Sequence, residues 1–232
     1  MQAMASTEKQ LRFGTPGDYR PMAYRDPRTG AYSGFDIELA GRLAAELGCQ
    51  PVFMATSWAS LSRDARADAF DMAIGGISRT AEREAELILS DGYLETGKTI
   101  LCRRGEEARY TDLASVDRPG VRVLYNPGGT NEAFVRTRLL RADCCVFPQN
   151  EVIPGRIRAG VADIMITETV EAAYYTRHYP GLAAPLMAEP FTRGTFCIAM
   201  GRSRSAMAGV VNEILADFRS RGVMHRLAER YL

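Results

Sequence analysis

Histidine is almost absent from this sequence: His178 and His225 are the only two, far apart and both in helical patterns. Five cysteines occur, Cys49, Cys102, Cys144, Cys145 and Cys197, and no two have CxxC spacing. A zinc centre needs clustered nitrogen and sulfur ligands, so no metal site is expected. The odd cysteine count leaves at least one thiol unpaired within a single chain. Cys144 and Cys145 are adjacent in an apolar stretch and read as strand packing. No apolar run approaches the roughly 20 residues that span a bilayer, so membrane insertion is not expected. The formal net charge is only +1. Nucleic-acid binders usually carry a strong basic excess, so that partner is not expected either. The first residues, Met1 to Gln10, lack the basic start, apolar core and cleavage site of a signal peptide. That fits a cytoplasmic protein, or a periplasmic one whose signal has already been removed.

What is present is an ordinary globular composition, 46% hydrophobic and 25% charged, in 232 residues. That length suffices for two modest lobes, each with its own core. Leu11–Thr15 reads as a strand and Gly17–Tyr24 as a polar and aromatic loop. Gly34-Phe35-Asp36 opens a helix in which Leu39, Ala40, Leu43, Ala44 and Leu47 recur at helical spacing, with Gly48 as its stop. Strands are expected at Pro51–Ala55 and Asp71–Ile74, with a weakly helical Trp58–Ala67 between them. Thr80 caps the next helix. The same strand–helix–strand grammar then repeats. Strands are expected at Val121–Tyr125, Cys144–Phe147 and Ala162–Thr167. Helices are expected at Glu132–Leu140, from Pro154 to Ala159, and at Thr169–His178. Such alternation implies α/β architecture with largely parallel sheets. The tail differs: a strand at Thr195–Met200, then helices at Ala206–Arg219 and Val223–Tyr231, separated by Gly222. If this tail returns to cover the first lobe, the chain crosses between lobes twice, near 98–101 and near 189–194. Paired crossings make a hinge. The expected division is 11–98 with 194–232 as one lobe and 99–193 as the other.

In parallel α/β sheets, ligands sit beyond the carboxyl ends of the strands. The polar residues there are Asp18, Tyr19, Trp58, Ser78 with Arg83, Asn126 to Asn131, and Thr167 to Glu171. Gly75-Gly76-Ile77-Ser78 followed by Arg83 is a candidate carboxylate site: backbone N–H groups, a hydroxyl and a guanidinium. The plainer alternative is a turn with a solvent-facing arginine. Gly128-Gly129-Thr130-Asn131 is a candidate anion nest without the lysine of a nucleotide P-loop. Thr130 serves equally as an ordinary helix cap. Glu168 and Glu171 lie one helical turn apart. A first-turn glutamate commonly serves helix stability alone. In a closed, poorly hydrated cleft it becomes an acid.

At these residues the chain resembles the amino-acid-binding branch of the periplasmic solute-binding proteins, over Leu11 to Tyr231. Gly34-Phe35-Asp36, Ile77-Ser78 with Arg83, and Gly129-Thr130 carry the broad similarity, together with the acid after Ile164–Ile166. A narrower set is similar to the cyclohexadienyl dehydratases. It comprises Gly17-Asp18-Tyr19, Thr56-Ser57-Trp58, Gly97-Lys98-Thr99, Asn126-Pro-Gly-Gly-Thr-Asn131, Glu171, and Glu106 to Tyr110.

The resemblance implies a type II solute-binding fold, two α/β lobes hinged around a central cleft. It implies a lyase acting on a small dicarboxylate cyclohexadienol, prephenate or L-arogenate, with loss of carbon dioxide and water and with no cofactor. Arg83 and Ser78 would hold the side-chain carboxylate. Lys98 and the Asn126, Thr130 and Asn131 loop would position the ring carboxylate or hydroxyl. Trp58 would pack on the ring, and Asp18 and Tyr19 would complete the binding wall. Glu171 would protonate the departing hydroxyl, with Asn131 and Lys98 as further catalytic groups. Glu168 stands where receptors of this branch have aspartate for a ligand ammonium, which implies that it reads the amine of arogenate. The alternative is a receptor delivering an amino acid to an ABC permease. Homo-oligomerisation stays open.

Overall fold

A computed structural model describes residues 9–232. Two five-stranded sheets organise it, one in each of two lobes. The first has the order Gln50–Ala55, Gln10–Thr15, Met72–Ala73, Ala199–Met200, Ile88–Leu89. The second has the order Asp143–Val146, Arg122–Tyr125, Ile164–Glu168, Lys98–Arg103, Leu182–Ala183.

The helix Phe35–Glu46 buries Phe35, Asp36, Leu39, Ala40, Leu43 and Ala44, a single face at helical spacing. Gly48, at φ 64°, supplies the left-handed turn beyond its end. The tail behaves as expected. Helices Ser205–Ser220 and Val223–Tyr231 break at Gly222 and return to the first lobe. There Val211, Leu215, Phe218, Val223 and Leu227 share a core with Phe13, Phe35, Leu39 and Leu43. The second lobe has its own apolar clusters on the two faces of its sheet. Ile100, Val123, Phe134, Ile164 and Ile166 lie in one, and Leu101, Ile153, Ile157, Met165 and Tyr175 in the other.

Several expectations are corrected. The sheets are mixed rather than largely parallel. Ala199–Met200 runs antiparallel to its neighbours in the first sheet, and Lys98–Arg103 antiparallel to its neighbours in the second. Both belong to segments that connect the lobes, and neither follows a crossover helix within its own sheet. The Gly17–Tyr24 loop is part of a small antiparallel sheet, Asp18–Tyr19, Ala23–Arg25 and Tyr32–Ser33. Thr195–Met200 is two strands, because Phe196 ends one pairing and Ala199 begins another. Asp143–Val146 is a strand, but Cys145 is exposed on this sheet edge and does not pack. Thr130 does not cap its helix; Gly129 is the cap residue, and the Thr130 hydroxyl turns toward Lys98.

The lobes are joined by a two-stranded antiparallel ribbon, Leu94–Thr96 with Gly194–Phe196. The outward crossing falls slightly earlier than expected, since Lys98 already belongs to the second sheet. Gly97 lies where the two crossings touch. A Cβ there would come within 2.0 Å of the Thr192 carbonyl oxygen, so the approach requires glycine.

Candidate functional site

The carboxyl ends of the central strands meet between the lobes. Tyr19, Trp58 and Ser78 come from the first lobe; Lys98, Asn126, Thr130, Asn131 and Glu168 come from the second. They enclose about 20 Å³. That space holds little more than a water molecule, so a larger ligand enters only when the lobes part. Gly128 permits the close approach: at φ 80°, any Cβ would lie 2.6 Å from the Ala59 nitrogen of the facing lobe.

Lys98 and Glu168 form the centre of the second-lobe wall. They are register partners on antiparallel strands, which puts Lys98 Nζ 2.6 Å from Glu168 Oε1. Nζ also donates to Thr130 Oγ1 at 2.7 Å and Asn131 Oδ1 at 2.6 Å. All three ammonium hydrogens therefore have acceptors. Asn131 in turn donates to Asn126 Oδ1 at 2.8 Å, which fixes its amide. Glu168 accepts further from Ser78 Oγ at 2.9 Å and Thr96 Oγ1 at 2.7 Å. Burial pushes the Glu168 carboxyl upward, but the Lys98 charge and these hydrogen bonds outweigh it and hold it below the usual range. Burial draws Lys98 downward, with Glu168 opposing, so the two stand as a buried ion pair.

Glu171 is fully buried in the first turn of Thr169–His178, behind this wall rather than on it. Its carboxyl accepts from Asn150 Nδ2 at 2.7 Å and from the Thr167 hydroxyl. Burial pushes it up to about 8, with the nearby Asp18 adding to the rise and Thr167, Asn150 and Lys98 opposing it. At neutral pH it is therefore a protonated acid, the state a proton donor requires.

Trp58 is positioned by Asp18, whose carboxylate oxygen accepts from the indole N–H at 2.9 Å. Asp18 is thus an orienting group behind Trp58 and is not on the cavity wall. Its carboxyl is pushed up to about 6, chiefly by burial, with the indole hydrogen bond opposing. Tyr19 meets Trp58 edge-on, with ring centroids 6.0 Å apart, and its hydroxyl is buried without a hydrogen-bond partner among the described residues.

The expected carboxylate cradle is partly occupied by the protein itself. The N–H groups of Gly75 and Gly76 donate to Asp36 Oδ2 at 2.9 and 2.6 Å, so they face inward. The Ser78 hydroxyl is committed to Glu168. Arg83 remains. It donates to the Ser78 carbonyl at 2.6 Å, is half-buried, and has no carboxylate partner among the described residues. Burial lowers its basicity. It borders a depression of about 500 Å³ that shares Trp58, Gly129 and Thr130 with the central cavity. An unpaired, partly desolvated guanidinium beside a cleft is suited to an incoming carboxylate.

Residues 11–232 match the family described as bacterial extracellular solute-binding proteins, family 3. The chain belongs to this family.

Within the family, the chain is 44% identical to the cyclohexadienyl dehydratase of Pseudomonas aeruginosa over 181 residues, 78% of this chain and 67% of that protein. The crystal structure of an ancestral amino-acid-binding protein, a precursor of cyclohexadienyl dehydratase, superposes with TM-score 0.87 at 29% identity. The alignment covers 96% of this chain and 95% of that one. An ancestral cyclohexadienyl dehydratase is 42% identical, with TM-score 0.58, over 96% and 92% of the two chains. The type II fold and the similarity to cyclohexadienyl dehydratases, both expected from sequence, are borne out. Among the described residues, no helix is long and apolar enough to cross a membrane.

Three supporting residues escaped the sequence reading. Thr96 holds Glu168, Asn150 reaches Glu171 beside the Thr167 already singled out, and Tyr93 donates to both oxygens of Asp36 at 2.7 Å. Asn150 follows the strand Asp143–Val146. Applying the strand-end rule to that strand as well would have found it.

Proposed function

We propose that this family 3 solute-binding protein is a cyclohexadienyl dehydratase, converting prephenate to phenylpyruvate, L-arogenate to L-phenylalanine, or both. The observation that carries the reading is Glu171: a buried carboxyl, neutral at physiological pH, next to a cleft whose wall displays Lys98 and Asn131. A receptor that only captures and releases its ligand has no use for a proton donor there. The identity with the Pseudomonas aeruginosa enzyme supports the same reading.

In the proposed reaction the lobes close on the substrate. Arg83 pairs with the side-chain carboxylate. Lys98 exchanges one of its protein acceptors for a substrate oxygen, and Asn131 orients beside it. Glu171 gives its proton to the leaving hydroxyl, which departs as water. The bond to the ring carboxylate breaks, carbon dioxide leaves, and the electron pair completes the aromatic ring. Glu171 is left as a carboxylate and regains a proton from solvent when the lobes reopen. Positioned acid catalysis contributes roughly 10²–10⁴-fold. Closure adds orientation and exclusion of water.

A two-lobe division is part of the proposal, with Lys98 placed in the second lobe: 11–97 with 194–232 against 98–193, and the ribbon Leu94–Thr96 and Gly194–Phe196 as its hinge. So is a periplasmic location, in keeping with the extracellular family. The superposition on an amino-acid-binding ancestor favours a second reading, a receptor for an ABC permease.

The test follows phenylpyruvate by ultraviolet absorbance after prephenate is added at neutral pH, because acid aromatises prephenate unaided. Turnover above a protein-free control is expected. No such turnover, together with tight binding of an unmodified amino acid, would replace the enzyme by the receptor.

A further inference from the structure

Asn150 is completely buried at the start of a short turn in the second lobe. Its amide nitrogen makes two hydrogen bonds that point to different lobes. One goes to Glu171 Oε1 at 2.7 Å, within its own lobe. The other goes to the Asp18 main-chain carbonyl at 3.2 Å, in the small sheet of the facing lobe. The amide oxygen, Oδ1, is buried with no partner among the described residues.

We propose that Asn150 is a positioning residue that couples lobe closure to proton release from Glu171. The proposal rests on Glu171 being the general acid. An amide has a donor end and an acceptor end. The Asp18 carbonyl accepts only donors, so closure fixes Nδ2 between Asp18 and Glu171 and turns Oδ1 away. A donor facing Glu171 favours its charged form and eases departure of the proton. When the lobes part, the Asp18 carbonyl withdraws. The amide is then free to rotate and offer its unsatisfied Oδ1 to the protonated carboxyl, which holds the proton in place. The same side chain thus retains the proton in the open state and favours its release in the closed one. The isolated Oδ1 is the feature this account explains, since buried polar atoms are normally paired.

The other groups around Glu171 do not supply such a switch. Thr167 and Tyr175 belong to the same lobe as Glu171 and do not move relative to it. Lys98 favours the charged carboxyl and is tied into the second sheet, where Glu168 balances its charge. Tyr19 approaches with the first lobe, but burial, aided by the Glu168 charge, keeps it a neutral phenol. The Asp18 carboxyl also approaches on closure and acts in the opposite sense, and its influence on Glu171 is smaller than that of the Asn150 hydrogen bond.

The test measures kcat and KM for prephenate from pH 6 to 10, on the parent protein, Asn150→Leu and Asn150→Asp, with Glu171→Gln as control. Leucine keeps the bulk and removes both polar ends; aspartate keeps the size and replaces the donor by an acceptor. For both variants we expect kcat to fall about 10-fold or more, with KM within about threefold of the parent. The alkaline limb of kcat should move to higher pH, because the carboxyl loses a donor. Melting curves establish which variants fold, and one folded variant suffices. A measurement on the parent needs no variant: a substrate analogue that closes the lobes should slow solvent exchange of the Asn150 side-chain amide protons. Folded variants with parental kcat and alkaline limb, alongside an inactive Glu171→Gln, would overturn the proposal, as would unprotected Asn150 protons in the closed complex. Turnover retained by Glu171→Gln would instead overturn the general-acid reading itself.

Discussion

Lys98 and Glu168 face each other across two antiparallel strands, and the Lys98 ammonium donates to the Glu168 carboxylate at 2.6 Å. The carboxylate that the sequence would assign to a substrate amine is therefore already paired with a cation of the protein. A second ammonium placed there would have to share the carboxylate with Lys98. Glu168→Gln should accordingly damage turnover of prephenate and arogenate alike, by roughly 10-fold or more in kcat/KM. It should also cost about 3–5 kcal/mol of stability, because Lys98 loses its buried counter-charge. Steady-state assays with both substrates decide the matter. A loss confined to arogenate would restore the amine-reading role.

Arg83 should behave differently. It bonds the Ser78 carbonyl but has no acidic partner among the described residues, so its removal leaves none of their buried carboxylates unpaired. Arg83→Ala should weaken binding of a substrate analogue by about 2–5 kcal/mol. Its melting temperature should stay close to the parent's. Unchanged affinity in titration calorimetry would exclude Arg83 as the carboxylate anchor.

Gly97 offers a test of the hinge. The Thr192 carbonyl occupies the space a Cβ would need, and both groups are main chain at the crossing point of the lobes. Gly97→Ala must push the crossings apart, at a cost of about 1–3 kcal/mol. Because the strain falls on the hinge, substrate affinity should drop with stability. Small-angle scattering of the ligand-bound protein checks whether closure is impaired; a parental melting curve and compact bound state would contradict the assignment.

Much of this architecture is legible in the sequence. The helix Phe35–Glu46 announces itself by its apolar spacing, and Thr169–His178 and Val223–Tyr231 fall where the pattern places them. The clustering of Tyr19, Trp58, Ser78, Lys98, Asn126, Thr130, Asn131 and Glu168 follows from the strand-end rule and the family resemblance together. What remains hidden is direction. Sequence position does not reveal that the Gly75 and Gly76 N–H groups turn inward to Asp36, away from the cleft. It does not reveal that the Ser78 hydroxyl donates to Glu168, or that the Asp18 carboxylate accepts from the Trp58 indole. These are choices among competing hydrogen-bond partners brought together from distant segments, and only the packed lobes settle them. The strand-end rule reaches Asn150 as a residue, but its two partners are far away in sequence and come into view only in the packed lobes.

Glu171 gives the sharpest prediction, because its catalytic and its energetic behaviour must change together. Burial raises its carboxyl from 4.5 to about 8. As the required acid, it should be active while protonated, so parental kcat should decline as pH rises through about 8. The stability consequence has a definite sign. Between the unfolded and folded values, the native state holds a proton that the unfolded chain has lost. Stability contributed by this group is therefore greatest below 4.5 and declines as pH rises toward about 8. Glu171→Gln keeps the size and part of the hydrogen bonding but has no proton to give and nothing to titrate. Its turnover should fall by roughly 10²-fold or more, while analogue affinity changes little. Its melting temperature should gain on the parent's as pH is raised from 5 to 9. Both readouts come from the same preparations. A variant with near-parental turnover would remove Glu171 from the chemistry. A melting difference that stays flat with pH would show that the carboxyl titrates normally, and a normally titrating carboxyl would be ionised at neutral pH and unable to act as the acid.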